Sequence, residues 1–117
     1  MRITILNVSL LIGAIFQLSA QSEEVTISIQ PYLQDATPNS IKVSWETNSG
    51  EESLVEFGVT PKLGRKVKGI AFDVNFTNAR IHEVKIEGLN RFTEYYYRVK
   101  TGKAVSEIYQ FKTPPFA

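Results

Sequence analysis

The chain has 117 residues, of which 43% are hydrophobic and 21% are charged, with 13 Lys and Arg against 12 Asp and Glu. That length fits one domain, since domains usually contain about 100–150 residues. A formal net charge of +1 argues against nucleic-acid binding, which needs a clustered excess of basic residues. Because the chain has no Cys, disulfides, thiol catalysis and cysteine-based zinc sites are excluded.

Residues 1–20 have the pattern of a signal peptide. Arg2 supplies a positive charge, residues 3–18 are uncharged and mostly apolar, and Ser19 and Ala20 are small residues suited to cleavage. An uncleaved anchor is the alternative, but a helix of residues 3–18 would span only about 24 Å of a hydrocarbon core of roughly 30 Å. We therefore predict export to the periplasm or the extracellular space, which leaves a domain of residues 21–117.

Apolar and polar residues alternate in several stretches of this domain. The stretches are residues 25–30, 41–46, 54–57, 83–87, 95–100 and 109–112. Each is typical of a strand with one buried face, and turn residues separate them at intervals of about ten residues. One or two further strands are expected around Gly69, within residues 64–78. The pattern predicts an all-β domain with little helix.

The stretch before and within residues 95–100 resembles a motif of fibronectin type III domains. Leu89, Thr93 and Tyr95 have the spacing of the tyrosine corner, in which the Tyr hydroxyl bonds to nearby backbone, although Arg91 replaces the usual Pro. Trp45 matches the core Trp of the second strand. The resemblance implies a fibronectin type III-like or immunoglobulin-like β-sandwich of about seven antiparallel strands.

The order of the motifs resembles, more specifically, the N-terminal domain of purple acid phosphatases. The matching segments are residues 31–34, 37–47, 55–58, 82–89, 93–99 and 106–115, so the resemblance covers about residues 25–115. In that family a following α/β domain hydrolyses phosphomonoesters at a di-metal centre of iron with iron, zinc or manganese. The resemblance implies that this catalytic domain is the partner in cis. Its motifs D-x-H and G-N-H-[DE] are absent from the 117 residues, so no catalytic residue is assigned.

His82 is the one histidine of the chain and the obvious candidate for chemistry. It shares the strand phase of Val84 and Ile86, which favours a packed structural residue over a ligand or an acid–base group. One histidine without clustered carboxylates does not form a tight transition-metal site. We therefore predict no catalytic, cofactor or metal site in this chain. The predicted structural residues are Trp45, Tyr95, Tyr97 and His82.

Three surface features are interpreted separately. Tyr96 alternates away from its buried neighbours, and with Tyr32 and Ile108 it forms a predicted outer face for docking a catalytic domain. A basic cluster is interpreted as a solvated strand edge rather than a phosphate site, because Lys protects edges against pairing; it comprises Arg65, Lys66 and Lys68. Asn75 begins a glycosylation sequon that matters only in a eukaryotic secretory pathway, and we interpret it as part of a loop or strand edge.

These inferences favour a non-catalytic accessory domain of an exported purple acid phosphatase-like metallophosphoesterase, present as a fragment or truncated product. The alternative from a different class is a freestanding adhesion or ligand-binding module that uses strand edges or loops such as residues 48–53. An autonomous phosphatase is the least favoured interpretation, because the metal ligands are missing from the sequence.

Overall fold

The computed structural model describes residues 24–117, and the predicted signal peptide lies outside the described residues. Over this range the chain forms strands without a helix: β1 Ile27–Gln34, β2 Ile41–Thr47, β3 Leu54–Gly58, β4 Arg65–Lys68, β5 Ile70–Asp73, β6 Arg80–Ile86, β7 Glu94–Thr101, β8 Ala104–Val105 and β9 Tyr109–Lys112. The predicted all-β class is confirmed. The uncertain segment around Gly69 forms both β4 and β5, and the two-residue β8 is the strand that the alternation did not predict.

The strands form two antiparallel sheets. Sheet A has the order β1-β2-β6-β5. Sheet B has the order β4-β3-β7, and both β8 and β9 pair with β7. The chain passes from β4 in sheet B to β5 in sheet A through the single residue Gly69. This arrangement is the predicted β-sandwich.

The core lies between the sheets and follows the predicted alternation. Every second residue of β2, β3, β6 and β7 points inward, and the buried cluster comprises Ile41, Val43, Trp45, Val55, Phe57, Val84, Ile86, Leu89, Tyr95, Tyr97, Val99 and Phe111. Tyr97 is 3% exposed and packs against Phe111 and Tyr109. Burial, with a smaller contribution from Tyr109, raises the pKa of Tyr97 to about 12, so its hydroxyl remains protonated.

Strand β1 departs from the prediction. The alternation places Val25, Ile27 and Ile29 on one buried face, but Ile29 is 47% exposed. The pairing of β1 with β2 shifts register between Ile27 and Ile29 and again before Tyr32. Such irregularities change which face a side chain occupies, so the prediction for Ile29 is wrong. The strand continues through Pro31, which an edge strand tolerates.

Candidate functional site

The most polar part of the core lies where β2 faces β6. Trp45 and His82 are directly opposite in the strand register, and both are 0% exposed. Their rings stack with centroids 5.2 Å apart and an interplanar angle of 16°. The indole Nε1–H of Trp45 donates to Thr101 Oγ1 at 2.9 Å. A buried Trp needs such a partner, and here sheet B supplies it to a side chain of sheet A.

Both ring nitrogens of His82 have hydroxyl partners. Nε2 lies 2.8 Å from Thr47 Oγ1, and Nδ1 lies 2.7 Å from Ser53 Oγ. Thr47 Oγ1 donates its proton to the carbonyl of Ser49, so it accepts from the ring Nε2–H. Ser53 Oγ has one proton and lies within hydrogen-bond distance of two groups, Nδ1 and the carbonyl of Ile70, the latter 2.9 Å away. Both ring nitrogens are therefore engaged with hydroxyl groups, and neither is free to bind a metal.

Charged groups border this site at the start of β6. The guanidinium of Arg80 donates to the carboxylates of Asp73 and Glu51 and to the carbonyl of Ala71. Burial lowers the pKa of His82, the positive charge of Arg80 lowers it further, and Glu51 acts in the opposite direction. His82 is therefore neutral in the folded domain at neutral pH.

This environment predicts that acid destabilises the domain. The pKa of His82 is lower in the folded state than its ordinary value of 6.5, so the unfolded state binds the proton first as the pH falls. We expect the free energy of unfolding to be constant above about pH 7 and to decrease below about pH 6.5, by at most about 1.4 kcal/mol per pH unit. Urea unfolding at a series of pH values measures this slope. The series should stop near pH 5, where Glu56, whose pKa Arg98 lowers, remains ionised.

A His82→Gln variant is the control for this slope, because its amide both donates and accepts but does not titrate. It is expected to be less stable than the wild type at every pH and to show no slope between about pH 5 and about pH 7. A wild-type profile that is flat over this interval would contradict the assignment of the slope to His82.

The described residues do not fit a di-metal centre. Such a centre needs several His and carboxylate ligands converging on two ions. Residues 24–117 contain no group of three or more His, Asp or Glu placed to hold a metal ion. The pair of Ser53 and His82 has the separation of a nucleophile and base, but Ser53 is 4% exposed and is bonded to Ile70. We assign this polar cluster a structural role, which is to hold the two sheets together.

Tyr95 lies near the start of β7, and its side chain reaches back to the corner that precedes this strand. Its hydroxyl accepts a hydrogen bond from the backbone N–H of Asn90 at 2.8 Å, which is the tyrosine-corner contact. The buried Thr113 joins the same corner: its hydroxyl donates to the carbonyl of Asn90 and accepts from the N–H of Thr93. These two bonds fix the corner at the point where Arg91 stands in place of the usual Pro.

The three residues of the predicted docking face are not all on one sheet. Tyr96 lies half-buried on β7, in register with Gly58 and Gln110 of sheet B. Ile108 is 43% exposed and immediately precedes β9 of the same sheet. Tyr32 is 41% exposed but belongs to β1 of sheet A. The structure therefore brings Tyr96 and Ile108 to one sheet and places Tyr32 on the other.

Sequence reasoning missed the hydroxyl groups of the core. Thr47 continues the inward phase of β2 after Trp45, and Thr101 continues that of β7 after Val99, so strict alternation would have identified both. Ser53 precedes β3, and its role depends on Gly69 and Ile70 coming close, for which the sequence carries no signal. As for membrane association, residues 24–117 contain no helix long and apolar enough to cross a bilayer.

Comparison with known proteins agrees with the resemblance seen in the sequence. The model of a family described as "Purple acid Phosphatase, N-terminal domain" matches residues 25–113, which confirms that resemblance. A similar curated protein is purple acid phosphatase 15 of Arabidopsis thaliana, which is 30% identical over 121 aligned residues. The alignment covers 81% of this chain and 22% of the relative, so the chain spans less than a quarter of that protein's length.

Solved structures share the sandwich. The structure of PhoD has a TM-score of 0.56 and 20% identity, over 73% of this chain and 19% of that chain. A computationally redesigned β-sandwich protein has a TM-score of 0.51 and 19% identity, over 79% of this chain and 97% of that chain. A short form of the sensor domain of the anti-sigma factor RsgI4 of Pseudobacteroides cellulosolvens has a TM-score of 0.50 and 15% identity. The match covers 81% of this chain and 97% of that chain. At these identities the likeness concerns the fold alone.

Proposed function

This chain belongs to the family of purple acid phosphatase N-terminal domains, and from that membership we propose that it is the non-catalytic accessory domain of an exported, purple acid phosphatase-like metallophosphoesterase. The observation that carries the proposal is the extent of the family match, residues 25–113, which includes all nine strands of the described sandwich. In this proposal the chain is a fragment or truncated product of the longer enzyme. Residues 1–20 are its export signal.

The chemistry of the core supports a structural rather than a catalytic role. Both nitrogens of His82 are bonded to Thr47 and Ser53, and the hydroxyl of Tyr95 is bonded to backbone. A di-metal centre of iron with iron, zinc or manganese would therefore belong to the catalytic domain, joined in cis to this one. The sandwich packs beside that domain and shapes its access or assembly.

The DNA downstream of the codon for Ala117 tests the parent enzyme. We expect the reading frame to continue into a segment with the motifs D-x-H and G-N-H-[DE]. A stop codon directly after Ala117 would contradict the fragment proposal and favour a freestanding binding module. Separately, purified residues 21–117 should not hydrolyse a chromogenic phosphomonoester when iron and zinc are added. Metal-dependent turnover by this domain would overturn the non-catalytic role.

The proposed docking surface is the part of sheet B that carries Tyr96 and Ile108. Tyr96→Ala should lower the Tm of the two-domain protein by about 2–4 °C more than it lowers that of residues 21–117 alone, because the lost contact is between domains. Tyr32→Ala is the control, since it removes an exposed Tyr from the other sheet. It should change the Tm of both proteins equally. If Tyr96→Ala also changes both equally, this surface does not dock the catalytic domain.

A further inference from the structure

The outer face of sheet B concentrates positive charge. Lys66 on β4 and Arg98 on β7 lie on either side of Glu56 in the strand register. One row further along the sheet, Lys68 and Lys100 lie on either side of Leu54. Partners in register point to the same side of a sheet, and Val55 and Phe57 point inward, so all four cations point outward. We call Lys66, Lys68, Arg98 and Lys100 the basic face.

The charge of the basic face is not balanced locally. Arg98 donates to the carboxylate of Glu56 at 2.8 Å. Within residues 24–117, none of the three lysines forms a salt bridge. Arg98, and at longer range Lys66 and Lys100, lower the pKa of Glu56, which places these lysines within electrostatic reach of that carboxylate. Because residues 21–117 contain equal numbers of basic and acidic residues, this surplus is a local segregation of charge.

Protection of a sheet edge explains only half of this arrangement. Lys66 and Lys68 lie on the edge strand β4, where lysines discourage pairing with another chain. Lys100 and Arg98 lie on β7, which is paired on both sides and has no edge to protect. Like charges gathered on one face of a sheet oppose its formation. Arg98 is paired with Glu56, but the presence of Lys100 on an inner strand needs another reason, and a complementary partner supplies one.

We propose that the basic face docks an acidic polypeptide segment in an extended conformation, with carboxylates at alternate positions. Lys66 and Lys68 are two residues apart on one strand, roughly 6.6 Å, which is the spacing of alternate side chains in an extended partner. Leu54 lies between Lys68 and Lys100 but is only 7% exposed, so the cations themselves carry the contact.

The test uses the purified chain and a fluorescent peptide of alternating Glu and Thr, with binding followed by anisotropy. We expect binding at an ionic strength of about 0.01 M that weakens towards about 0.1 M, as the Debye length falls from about 30 Å to about 10 Å. The combined variant Lys66→Gln, Lys68→Gln and Lys100→Gln should bind about tenfold more weakly, since exposed ion pairs each contribute a fraction of a kcal/mol.

A second variant controls for net charge. Lys62→Gln, Lys85→Gln and Arg91→Gln remove the same charge from exposed positions away from the basic face. This variant should lose less than about twofold in affinity, because its changes are distant from the docked peptide. Equal losses in both variants would overturn the proposal, as would the absence of peptide binding at low ionic strength.

Two competing probes decide the chemistry of the partner. A peptide of the same composition with its glutamates in one block should bind more weakly than the alternating peptide, and equal binding would overturn the proposed register. Inorganic polyphosphate should not displace the alternating peptide at equal charge concentration. Preferential binding of polyphosphate would assign the face to phosphate polymers and overturn the polypeptide assignment.

Discussion

Replacing Gly69 by Ala is expected to destabilise the domain by about 4 kcal/mol or more, which places it among the most damaging single substitutions. A Cβ at this position would overlap the carbonyl oxygen of Glu83 and would lie 2.8 Å from Val84 Cα. Both atoms belong to the backbone of β6, which is paired with β2 on one side and β5 on the other. The backbone of β6 cannot move away from the added methyl group without breaking its hydrogen bonds to β2 or β5. Urea unfolding followed by circular dichroism measures the loss.

Gly88→Ala is the control for Gly69→Ala, because it separates steric overlap from backbone conformation. Gly88 has a φ of +70° and nothing within 4 Å of an added Cβ, so its substitution carries only the strain of the left-handed region. We expect a cost of about 1–2 kcal/mol. Gly69 has no such φ, so its cost arises from contact alone. Similar losses in the two variants would contradict this explanation.

Trp45→Ala is expected to cost about 3–5 kcal/mol, the range for removing a large buried aromatic side chain. The substitution removes a 0% exposed side chain, leaves Thr101 Oγ1 without its indole donor, and uncovers one face of the His82 ring. Because Trp45 is the only Trp, the tryptophan fluorescence disappears with it. Circular dichroism during urea unfolding therefore provides the measurement.

Phe72→Ala is the matched aromatic control for Trp45→Ala. Phe72 also lies on a strand of sheet A, but it is 40% exposed and is not part of the buried cluster. Its truncation should cost less than about 1 kcal/mol, as is usual for a site with little burial. If Phe72→Ala proved as damaging as Trp45→Ala, the core would not be centred on the contact between Trp45 and His82.

The alternation of single strands was predictable because one buried face imposes a period of two on the residues that form it. That rule located β2, β6 and β7 and the inward position of His82. It failed at Ile29, because a register irregularity in β1 depends on the partner strand rather than on β1 itself. The two-residue β8 is too short to show a period at all.

Contacts between distant residues were not predictable from one sequence. The partners of His82 are Thr47 and Ser53, which are common polar residues. Their role as hydrogen-bond partners becomes apparent only when β2, β3 and β6 come together in the fold. The same holds for the basic face. Lys66 and Lys68 form a visible cluster in the sequence, whereas Lys100 joins them only because β3 separates β4 from β7 by one strand.

The passage from β4 to β5 also determines how the sandwich opens. Gly69 alone joins these strands, and a single residue spans at most about 3.6 Å. The covalent chain therefore holds the two sheets close together at this edge. At the opposite edge, β1 and β9 are held by noncovalent contacts such as the hydrogen bond from the Tyr109 hydroxyl to Gln30. We therefore expect local separation of the two sheets to begin between β1 and β9, with the edge formed by β4 and β5 as the axis about which they part.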